Sequence, residues 1–493
     1  MSKFILAIDQ GTTSTRAILF DENGHITGIS QKELQLYYPD NGWVEQNPED
    51  IWADTQYVCQ GVMQQHSIHP SNVLGIGITN QRETTIVWDR KTGEPVYNAI
   101  VWQDRRTHVM CENLRRAGHE DIFARKTGLL LDPYFSGTKI RWILDNVEGA
   151  AARAKKGELA FGTIDCFLLW RLTGGKVHAT DITNASRTLL YNIVEQKWDE
   201  ELLKILGIPA SMLPEVKDNS GDFGEVSADF LGAPTRVTGM AGDQQAALVG
   251  QACFKPGMVK STYGTGCFAL MNIGAEFKRS NNKMLTTVAY RLKGEISYAV
   301  EGSIFVAGAA VQWLRDGLGI IKSSSETEKM ALSVEDNGGV YLVPAFTGLG
   351  APYWNPHARA SISGLTRGAK PAHIVRAALE AQAYQTEDLM RAMAEDAGYP
   401  MTEIRVDGGM VKNSLVCQLI ADITSTPVLR PTCIETTALG AAYLAGLHVG
   451  LFSSTEAIAE AWECEQRFSP KMASADRERL YAGWQQAVKQ VLA

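Results

Sequence analysis

The chain has 493 residues, of which 45% are hydrophobic and 21% charged, a globular composition that leaves little room for extended disorder. Its 47 lysines and arginines are outnumbered by 55 acidic residues, for a net charge of -8, which disfavours a nucleic-acid partner. A small phosphorylated ligand is still compatible with this balance, because a few arginines and backbone amides bind phosphate locally. The length fits about three domains or two large lobes.

The N-terminal sequence and the cysteines indicate the compartment. Residues 1–13 contain one lysine and a five-residue apolar run that ends at an aspartate, which fits neither a signal peptide nor a membrane span. The eight cysteines form no Cys-x-x-Cys pair and no His/Cys cluster at metal-binding spacing in the sequence. We therefore expect a cytoplasmic protein with reduced thiols and no membrane insertion.

The first half opens with strands around a hydroxyl-rich turn at residues 9–14. Apolar runs bounded by turn signals predict strands at residues 4–8, 16–20, after 24, 73–79 and 84–88. Between the third and fourth of these, Asn47 is a predicted helix cap and Pro48 the first helical residue, and this helix continues to about His66.

The second half repeats the opening pattern. Residues 257–270 again predict strand, Gly/Thr turn and strand, as in residues 4–20, which indicates a duplicated core with a boundary near residue 252. Strands alternate with helices in both halves, which predicts two α/β lobes with mixed β-sheets, over residues 1–252 and 253–493. Further elements are predicted in the second half: a long helix over 371–398, a strand over 403–406, a helix from 412, and a small-residue helix over 438–446 that suits close packing on a sheet or a nucleotide.

Two turns could bind phosphate. The turns at 11–14 and 264–266 combine backbone N–H groups with Thr/Ser hydroxyls, which together can bind phosphate oxygens. Either turn alone is more often only a turn, but two at matching places in a duplicated fold would hold one polyphosphate between the lobes. The sequence contains neither a P-loop nor a Gly-x-Gly-x-x-Gly that leads from a strand into a helix, so P-loop and Rossmann readings are unsupported.

Four charged residues have a functional and a structural interpretation. Asp9 ends the first strand, where it could hold Mg²⁺ or simply cap the turn. Asp243 opens an apolar helix, where it could accept a proton from an alcohol or act as an N-cap. Arg82 and Glu83 interrupt a β-like segment, and they could bind neighbouring hydroxyls or form a surface ion pair.

Seven motifs occur in order along the chain: DQGTTSTR at 9–16, ITNQRET at 78–84, VWQD at 101–104, DPYFSGT at 132–138, GDQQ at 242–245, STYGTGC at 261–267 and VDGG at 406–409. Taken together, they resemble the motifs of the bacterial glycerol kinases of the FGGY family of carbohydrate kinases, whose fold is the actin/Hsp70-like (ribonuclease H-like) ATPase fold. The resemblance extends in order from about residue 4 to 483.

The resemblance implies a glycerol pocket formed by Arg82, Glu83, Tyr134, Asp243 and Gln244, with Trp102 and Phe268 against the carbon skeleton. These residue types suit the ligand, because hydroxyl groups need donors and acceptors at short range and C–H faces pack on aromatic rings. For the two aromatic residues taken alone, ordinary core packing is the more common role.

The resemblance also implies a nucleotide site for ATP and Mg²⁺. It assigns phosphate contacts to Thr12, Thr13, Ser14, Arg16 and Thr265, and it places Gly308, Gln312, Gly409 and Asn413 around the nucleotide. Glycine at 308 and 409 would let the backbone approach the nucleotide closely, although a glycine in a turn usually has only a conformational role.

The implied activity is in-line transfer of the ATP γ-phosphoryl group to glycerol, with Asp243 as the general base. The nearest alternative is a related sugar kinase that acts on a pentulose or another polyol, and a further one is a nonenzymatic filament former or chaperone on the same fold. The resemblance also implies a homodimer or homotetramer.

Overall fold

The computed structural model describes residues 3–355 and 357–493. Its strands are β1 Phe4–Gln10, β2 Ser14–Phe20, β3 Ile26–Glu33, β4 Glu45–Gln46, β5 Val73–Asn80, β6 Ile86–Asp89, β7 Ala99–Ile100, β8 Leu159–Gly162, β9 Ala179–Asp181, β10 Tyr191–Asn192, β11 Lys197–Trp198, β12 Glu215–Lys217, β13 Ser220–Val226, β14 Thr235–Gly242, β15 Met258–Tyr263, β16 Cys267–Gly274, β17 Leu285–Leu292, β18 Glu295–Ile304, β19 Tyr341–Val343, β20 Ser361–Ser363, β21 Glu403–Asp407, β22 Val428–Pro431 and β23 Cys464–Phe468.

The helices are α1 Pro48–Gln65, α2 His108–Arg116, α3 Glu120–Thr127, α4 Ser136–Asn146, α5 Ala150–Lys155, α6 Ile164–Leu172, α7 Ile182–Ala185, α8 Glu200–Leu206, α9 Ala228–Leu231, α10 Asp243–Gly250, α11 Gly308–Asp316, α12 Glu326–Ala331, α13 Pro371–Ala397, α14 Ser414–Thr424, α15 Thr436–His448, α16 Thr455–Ala461 and α17 Ser474–Leu492. Short 3₁₀ turns cover Pro70–Asn72, Ala210–Met212 and Gly409–Lys412.

The first half is built on a mixed sheet with strand order β13-β14-β5-β1-β2-β3. In this sheet β1 pairs antiparallel with β2 and parallel with β5, and β5 pairs parallel with β14. All seven residues of β1 are buried, as expected for a central strand that is covered on both faces.

The second half repeats this topology. Its sheet has the order β17-β18-β16-β15-β21-β22-β23, with β15 antiparallel to β16 and parallel to β21, and β21 parallel to β22. The two halves therefore share one mixed-sheet plan, which confirms the predicted α/β fold class. The lobe boundary at residue 252 stays a prediction, and residues 1 and 2, where the first predicted lobe begins, lie outside the described residues.

Two helices lie between the sheets. Helix α15 of the second half packs on β5 and β14 of the first half and against α10. A Cβ atom on Gly440 would lie 1.8 Å from the Ala246 carbonyl oxygen, and one on Gly77 would lie 2.2 Å from that of Ala441. The small residues predicted for this helix are thus required by its packing against a helix and a sheet.

The ends of two helices follow their predicted signals. The Asn47 side chain accepts a hydrogen bond from the Glu49 amide at the start of α1, and α13 ends before Gly398, whose φ of 76° is left-handed. One boundary was predicted wrongly, because Lys412 belongs to a 3₁₀ turn and the helix α14 begins only after Asn413. No helix of the described residues is long and apolar enough to cross a membrane.

Candidate active site

The first hydroxyl-rich turn joins β1 to β2. The Gly11 amide donates to the Ser14 carbonyl oxygen at 2.9 Å, which closes the turn and leaves the intervening Thr12 and Thr13 at least partly exposed. Asp9 is buried at the end of β1 and forms an ion pair with Arg16. Arg16 also contacts Glu435 at 2.5 Å, so two carboxylates hold this guanidinium beside the turn.

The second turn joins β15 to β16 in the other half. The Gly264 amide donates to the Gly266 carbonyl oxygen at 2.8 Å, and the Ala307 amide donates to the Thr265 carbonyl oxygen at 2.9 Å. A Cβ atom on Gly308 would lie 2.6 Å from the Gly264 carbonyl oxygen. The start of α11 can therefore approach this turn only because residue 308 is a glycine.

A cleft of about 250 Å³ lies beside the second turn. It brings together three of the four residues predicted to surround a nucleotide, with Thr265 from the predicted phosphate contacts. Its lining is Tyr263, Gly264, Thr265, Gly308, Val311, Gln312, Arg315, Ser324, Gly409 and Met410. Asn413 is not in this lining: its side chain accepts from the Val416 amide at the start of α14 and donates to Thr327.

The two adjacent glycines at this cleft differ in their surroundings. Gly408 has a φ of 95°, and a Cβ atom there would lie 2.4 Å from the Tyr263 carbonyl oxygen. A Cβ atom on Gly409 would meet no heavy atom within 4 Å. The backbone conformation therefore requires glycine at 408, whereas the space beside 409 is open to the cleft.

Arg82 is the centre of a buried polar cluster. It has a left-handed φ of 60°, and its guanidinium donates to the Tyr134 hydroxyl at 3.0 Å and contacts Glu301 at 2.5 Å. Its Nε lies 3.1 Å from Asp243 Oδ1. Because Arg82 and Glu83 are both buried, the alternative of a surface ion pair is wrong.

Asp243 is the first residue of α10 and follows the cap residue Gly242. Its Oδ1 accepts from the Gln244 amide at 2.7 Å, and its side chain is 29% exposed. Burial raises the pKa of Asp243, although the nearby Arg82 and Lys260 act to lower it. The Lys260 ammonium donates to the Gln244 side chain, so a second predicted pocket residue lies close to the carboxylate.

Aromatic rings lie next to this cluster. The Trp102 ring centroid is 5.6 Å from that of Tyr134 and 6.4 Å from that of Phe268, both in edge-on geometry. All three residues are partly exposed, unlike ordinary core aromatics. The structure therefore brings the seven residues predicted for the acceptor pocket into one region.

Three buried atoms of the cluster lack hydrogen-bond partners: Arg82 Nε, Glu83 Oε2 and Arg187 Nη1. Arg82 Nε lies 3.1 Å from Asp243 Oδ1 as an ion pair but makes no hydrogen bond. Arg82 Nε and Glu83 Oε2 are a donor and an acceptor on adjacent residues. Buried polar atoms without partners are uncommon in native proteins and call for an explanation. An alcohol ligand, whose hydroxyl groups both donate and accept, would satisfy them.

Three charged residues at this site were not singled out from the sequence. Arg187 and Glu301 are completely buried in the Arg82 cluster, and Lys260 is buried beside Gln244. The sequence carried a signal for Glu301 and Lys260, because each is a charged residue inside an apolar strand. Burial lowers the pKa of Lys260.

Magnesium would find few protein ligands here. In residues 3–355 and 357–493, no group of three or more His, Cys, Asp or Glu side chains is arranged to hold a metal. Mg²⁺ usually keeps several waters and uses one or two carboxylates together with substrate phosphates. The buried Asp9, at the end of β1 beside a hydroxyl-rich turn, fits this requirement.

The chain has two similarly folded halves, a glycine-lined cleft, and a polar cluster that contains a carboxylate and aromatic rings. These features are typical of an α/β small-molecule kinase. Models of the FGGY family of carbohydrate kinases match the chain in agreement with this: the N-terminal domain at residues 4–250 and the C-terminal domain at residues 259–449. The chain belongs to the FGGY family of carbohydrate kinases.

Relatives within the family match over the whole chain. A glycerol kinase of Nitrosomonas eutropha is 61% identical and one of Alcanivorax borkumensis is 60% identical, each over 99% of this chain and 98% of the relative. Among solved structures, Plasmodium falciparum glycerol kinase with ADP has a TM-score of 0.95 at 37% identity, covering 100% of this chain and 99% of that one. A xylulose kinase from Lactobacillus acidophilus, at 22% identity and a TM-score of 0.90 over 100% of this chain and 99% of that one, shares the fold.

Proposed function

We propose that this protein transfers the γ-phosphoryl group of ATP to a terminal hydroxyl of glycerol, which gives sn-glycerol 3-phosphate and ADP. The observation that carries the proposal is the contact of Arg82 with both Asp243 and Tyr134. The Trp102 ring packs on Tyr134, and the Phe268 ring packs on Trp102. The identity of 57–61% to full-length relatives named glycerol kinase supports the choice of acceptor.

The acceptor is bound by complementary polar and aromatic groups. Arg82 Nε and Glu83 Oε2, which make no hydrogen bond within the protein, are a donor and an acceptor for its hydroxyl groups. Tyr134 and Gln244 supply further hydrogen bonds, and the C–H faces of glycerol pack against Trp102 and Phe268.

Asp243 is the general base in this proposal. As the bond from the acceptor oxygen to the γ-phosphorus forms, the bond from that phosphorus to the β–γ bridging oxygen breaks, and ADP leaves with the electron pair. The proton of the alcohol passes to the carboxylate of Asp243. Because burial raises the pKa of Asp243, this carboxylate is a stronger base than an ordinary aspartate.

The two turns position the triphosphate. Thr12, Thr13 and Ser14 on one side and Thr265 on the other donate to phosphate oxygens, and Arg16 neutralises their charge. The cleft at Gly308, Gln312 and Gly409 accepts the rest of the nucleotide, with Asn413 beside it at the start of α14.

Asp9 is the residue that would hold Mg²⁺, which supplies charge neutralisation on the phosphates when it is bound. In the structure Asp9 is paired with Arg16. We infer that Arg16 exchanges this contact for a phosphate oxygen when nucleotide binds, which frees the carboxylate for the metal. The cytoplasmic location and the homodimer or homotetramer stay predictions from the sequence.

An acceptor assay tests the proposal and its nearest alternative. Purified protein with ATP and Mg²⁺ is assayed for ADP release with glycerol, dihydroxyacetone, xylulose and no acceptor. We expect the highest kcat/KM with glycerol. Faster turnover of xylulose would favour the sugar kinase alternative, and nucleotide-dependent polymers without acceptor-stimulated ADP release would favour a filament-forming protein.

A further inference from the structure

We propose that Arg187 and Glu301 are positioning residues, which hold Arg82 and Glu83 in the geometry that binds the acceptor. Neither residue is needed to contact the acceptor in this inference. It rests on the proposed function only in taking Arg82 and Glu83 to be the groups that bind the acceptor hydroxyls.

Arg187 holds Glu83 by one oxygen. Its Nε donates to Glu83 Oε1 at 2.6 Å, and its Nη2 donates to Glu301 Oε1 at 2.8 Å. Its guanidinium also lies 5.5 Å from the Tyr134 ring centroid and 5.3 Å from that of Phe135. With Oε1 engaged, Glu83 retains Oε2 as its unpaired acceptor.

Glu301 holds Arg82 in a corresponding way. Its Oε2 accepts from Arg82 Nη1 at 2.5 Å, and its Oε1 lies 3.4 Å from Arg82 Nη2. These contacts occupy the terminal nitrogens of Arg82, together with Tyr134. They leave Nε, which is ion-paired with Asp243 Oδ1 at 3.1 Å, as the nitrogen that makes no hydrogen bond. Glu301 therefore fixes the plane of the Arg82 guanidinium and determines that Nε is the nitrogen that can donate to a ligand.

The charge of Glu301 is also needed to keep two arginines together. Arg82 and Arg187 are both buried and repel each other, and Glu301 contacts both of them. Burial of like charges without a counter-ion is unfavourable. Glu83 Oε1 also lies 2.6 Å from Arg187 Nε and 3.7 Å from Arg82 Nε. Loss of Glu301 would therefore leave Glu83 as the one carboxylate shared by the two arginines, which would weaken their positions and disorder the donor and acceptor pair.

Glu301 comes from the other half of the fold. It lies on β18 opposite Leu270 of β16, whereas Arg82 follows β5 of the first sheet. The acceptor pocket is thus completed by a residue of the half that also carries the nucleotide cleft. This arrangement makes the geometry of the acceptor groups depend on how the two halves are assembled.

The test uses Glu301→Gln and Arg187→Lys in the full-length protein, with Glu380→Gln as a control. Glu380 is also a buried glutamate that is paired with an arginine, Arg376 at 2.8 Å, but it lies on α13 outside the pocket. KM for glycerol, KM for ATP and kcat are measured for each protein, and circular dichroism checks folding.

We expect KM for glycerol to rise by about 10- to 100-fold in both pocket variants, because oriented charged hydrogen bonds are lost. KM for ATP should stay within about twofold, since Arg82 and Glu83 serve the acceptor and not the nucleotide. The Glu380→Gln variant should keep the wild-type KM for glycerol. An unchanged KM for glycerol in folded Glu301→Gln, or equal increases in both KM values, would overturn the inference.

A second measurement does not depend on the variants folding. In a crystal structure of the wild-type protein with glycerol, Arg187 and Glu301 should keep their contacts while Arg82 Nε and Glu83 Oε2 meet hydroxyl groups. Direct contacts of glycerol with Arg187 or Glu301 would overturn the positioning role. If the wild type uses a different acceptor, the proposed function fails, but KM for that acceptor still tests the positioning.

Discussion

Trp102 Nε1 donates a hydrogen bond to Thr12 Oγ1 at 2.8 Å. Trp102 belongs to the predicted glycerol pocket, and Thr12, 90 residues away, lies in the first turn predicted to bind phosphate. Because the indole N–H already occupies a lone pair of the Thr12 oxygen, the Thr12 hydroxyl proton is free to be donated to a phosphate oxygen. The bond therefore connects acceptor binding to the orientation of the turn.

Trp102→Phe should test this connection, because it keeps an aromatic ring and removes the N–H donor together with part of the indole ring. We expect KM for ATP at saturating glycerol to rise by about two- to tenfold, the usual effect of one hydrogen bond. The matched control is Trp198→Phe, since Trp198 Nε1 donates to the Pro214 carbonyl oxygen at the same distance of 2.8 Å. Equal KM values for ATP in the two variants would show that the hydrogen bond from Trp102 to Thr12 has no role in nucleotide binding.

Asp243→Asn should separate binding from chemistry. The amide keeps the size of the side chain but cannot accept the alcohol proton, so kcat should fall by roughly 10² to 10⁴ while glycerol binding is retained. Coupled ADP release measures kcat, and calorimetry measures glycerol binding. Asp121→Asn, which alters two surface ion pairs, with Arg125 and Arg279, is the control. Near-normal turnover of Asp243→Asn would remove this residue from the role of base.

The pH profile of kcat/KM should have an acidic limb that comes from Asp243. Only the carboxylate can accept a proton, so kcat/KM should fall as the pH falls through the pKa of this group. Because burial raises the pKa of Asp243, the limb should lie above the ordinary aspartate value of about 3.9. The residual rate of Asp243→Asn should lack this limb, and an identical limb in the variant would assign it to another group.

The free energy of unfolding should decrease in acid, because protonation of Glu301 removes a stabilising charge. Arg187 and Arg82 overcome the opposing effect of burial and lower the pKa of Glu301 from 4.5 to about 2. The ionised group therefore stabilises the fold above about pH 4.5, and its contribution, about 3 kcal/mol, is lost as the pH falls toward 2.

Urea unfolding of the wild type and Glu301→Gln at pH 7, 4.5 and 3 measures this contribution. The difference in the free energy of unfolding between the two proteins should be largest at pH 7 and shrink at pH 3. A difference that does not change with pH would contradict an ionised Glu301 with a lowered pKa.

Gly408→Ala and Gly409→Ala should have different consequences. Alanine at 408 meets both a left-handed backbone and the Tyr263 carbonyl oxygen, so it should lower the free energy of unfolding by at least about 1 kcal/mol. Alanine at 409 has open space and should leave stability nearly unchanged while raising KM for ATP. Thermal unfolding and KM measurements on both variants check this, and the reverse pattern would contradict the placement of the nucleotide.

The elements predicted from local signals agree well with the structure. The cap at Asn47, the glycine after α13 and the repeated strand–turn–strand pattern each depend on residues that are close in sequence. The resemblance to the family then brought distant motifs together, and the structure places Tyr134 and Asp243 each in contact with Arg82.

The ion-pair cluster could not be predicted in the same way. Arg82 and Glu301 are separated by 219 residues, and nothing local indicates that a charged residue of one half pairs with a residue of the other. Such pairing is decided by how the two sheets are assembled. The start of α14 was misplaced for a local reason, because a 3₁₀ turn and an amide cap at Asn413 precede that helix.

The most direct test of the account is a crystal structure of the protein with glycerol and a nonhydrolysable ATP analogue bound together. We predict that the γ-phosphate lies between the turns at Thr12 and Thr265, with a terminal glycerol oxygen within hydrogen-bonding distance of Asp243. Ligands in two unconnected cavities, or a glycerol hydroxyl that faces the phosphate with no carboxylate near it, would contradict the proposed phosphoryl transfer.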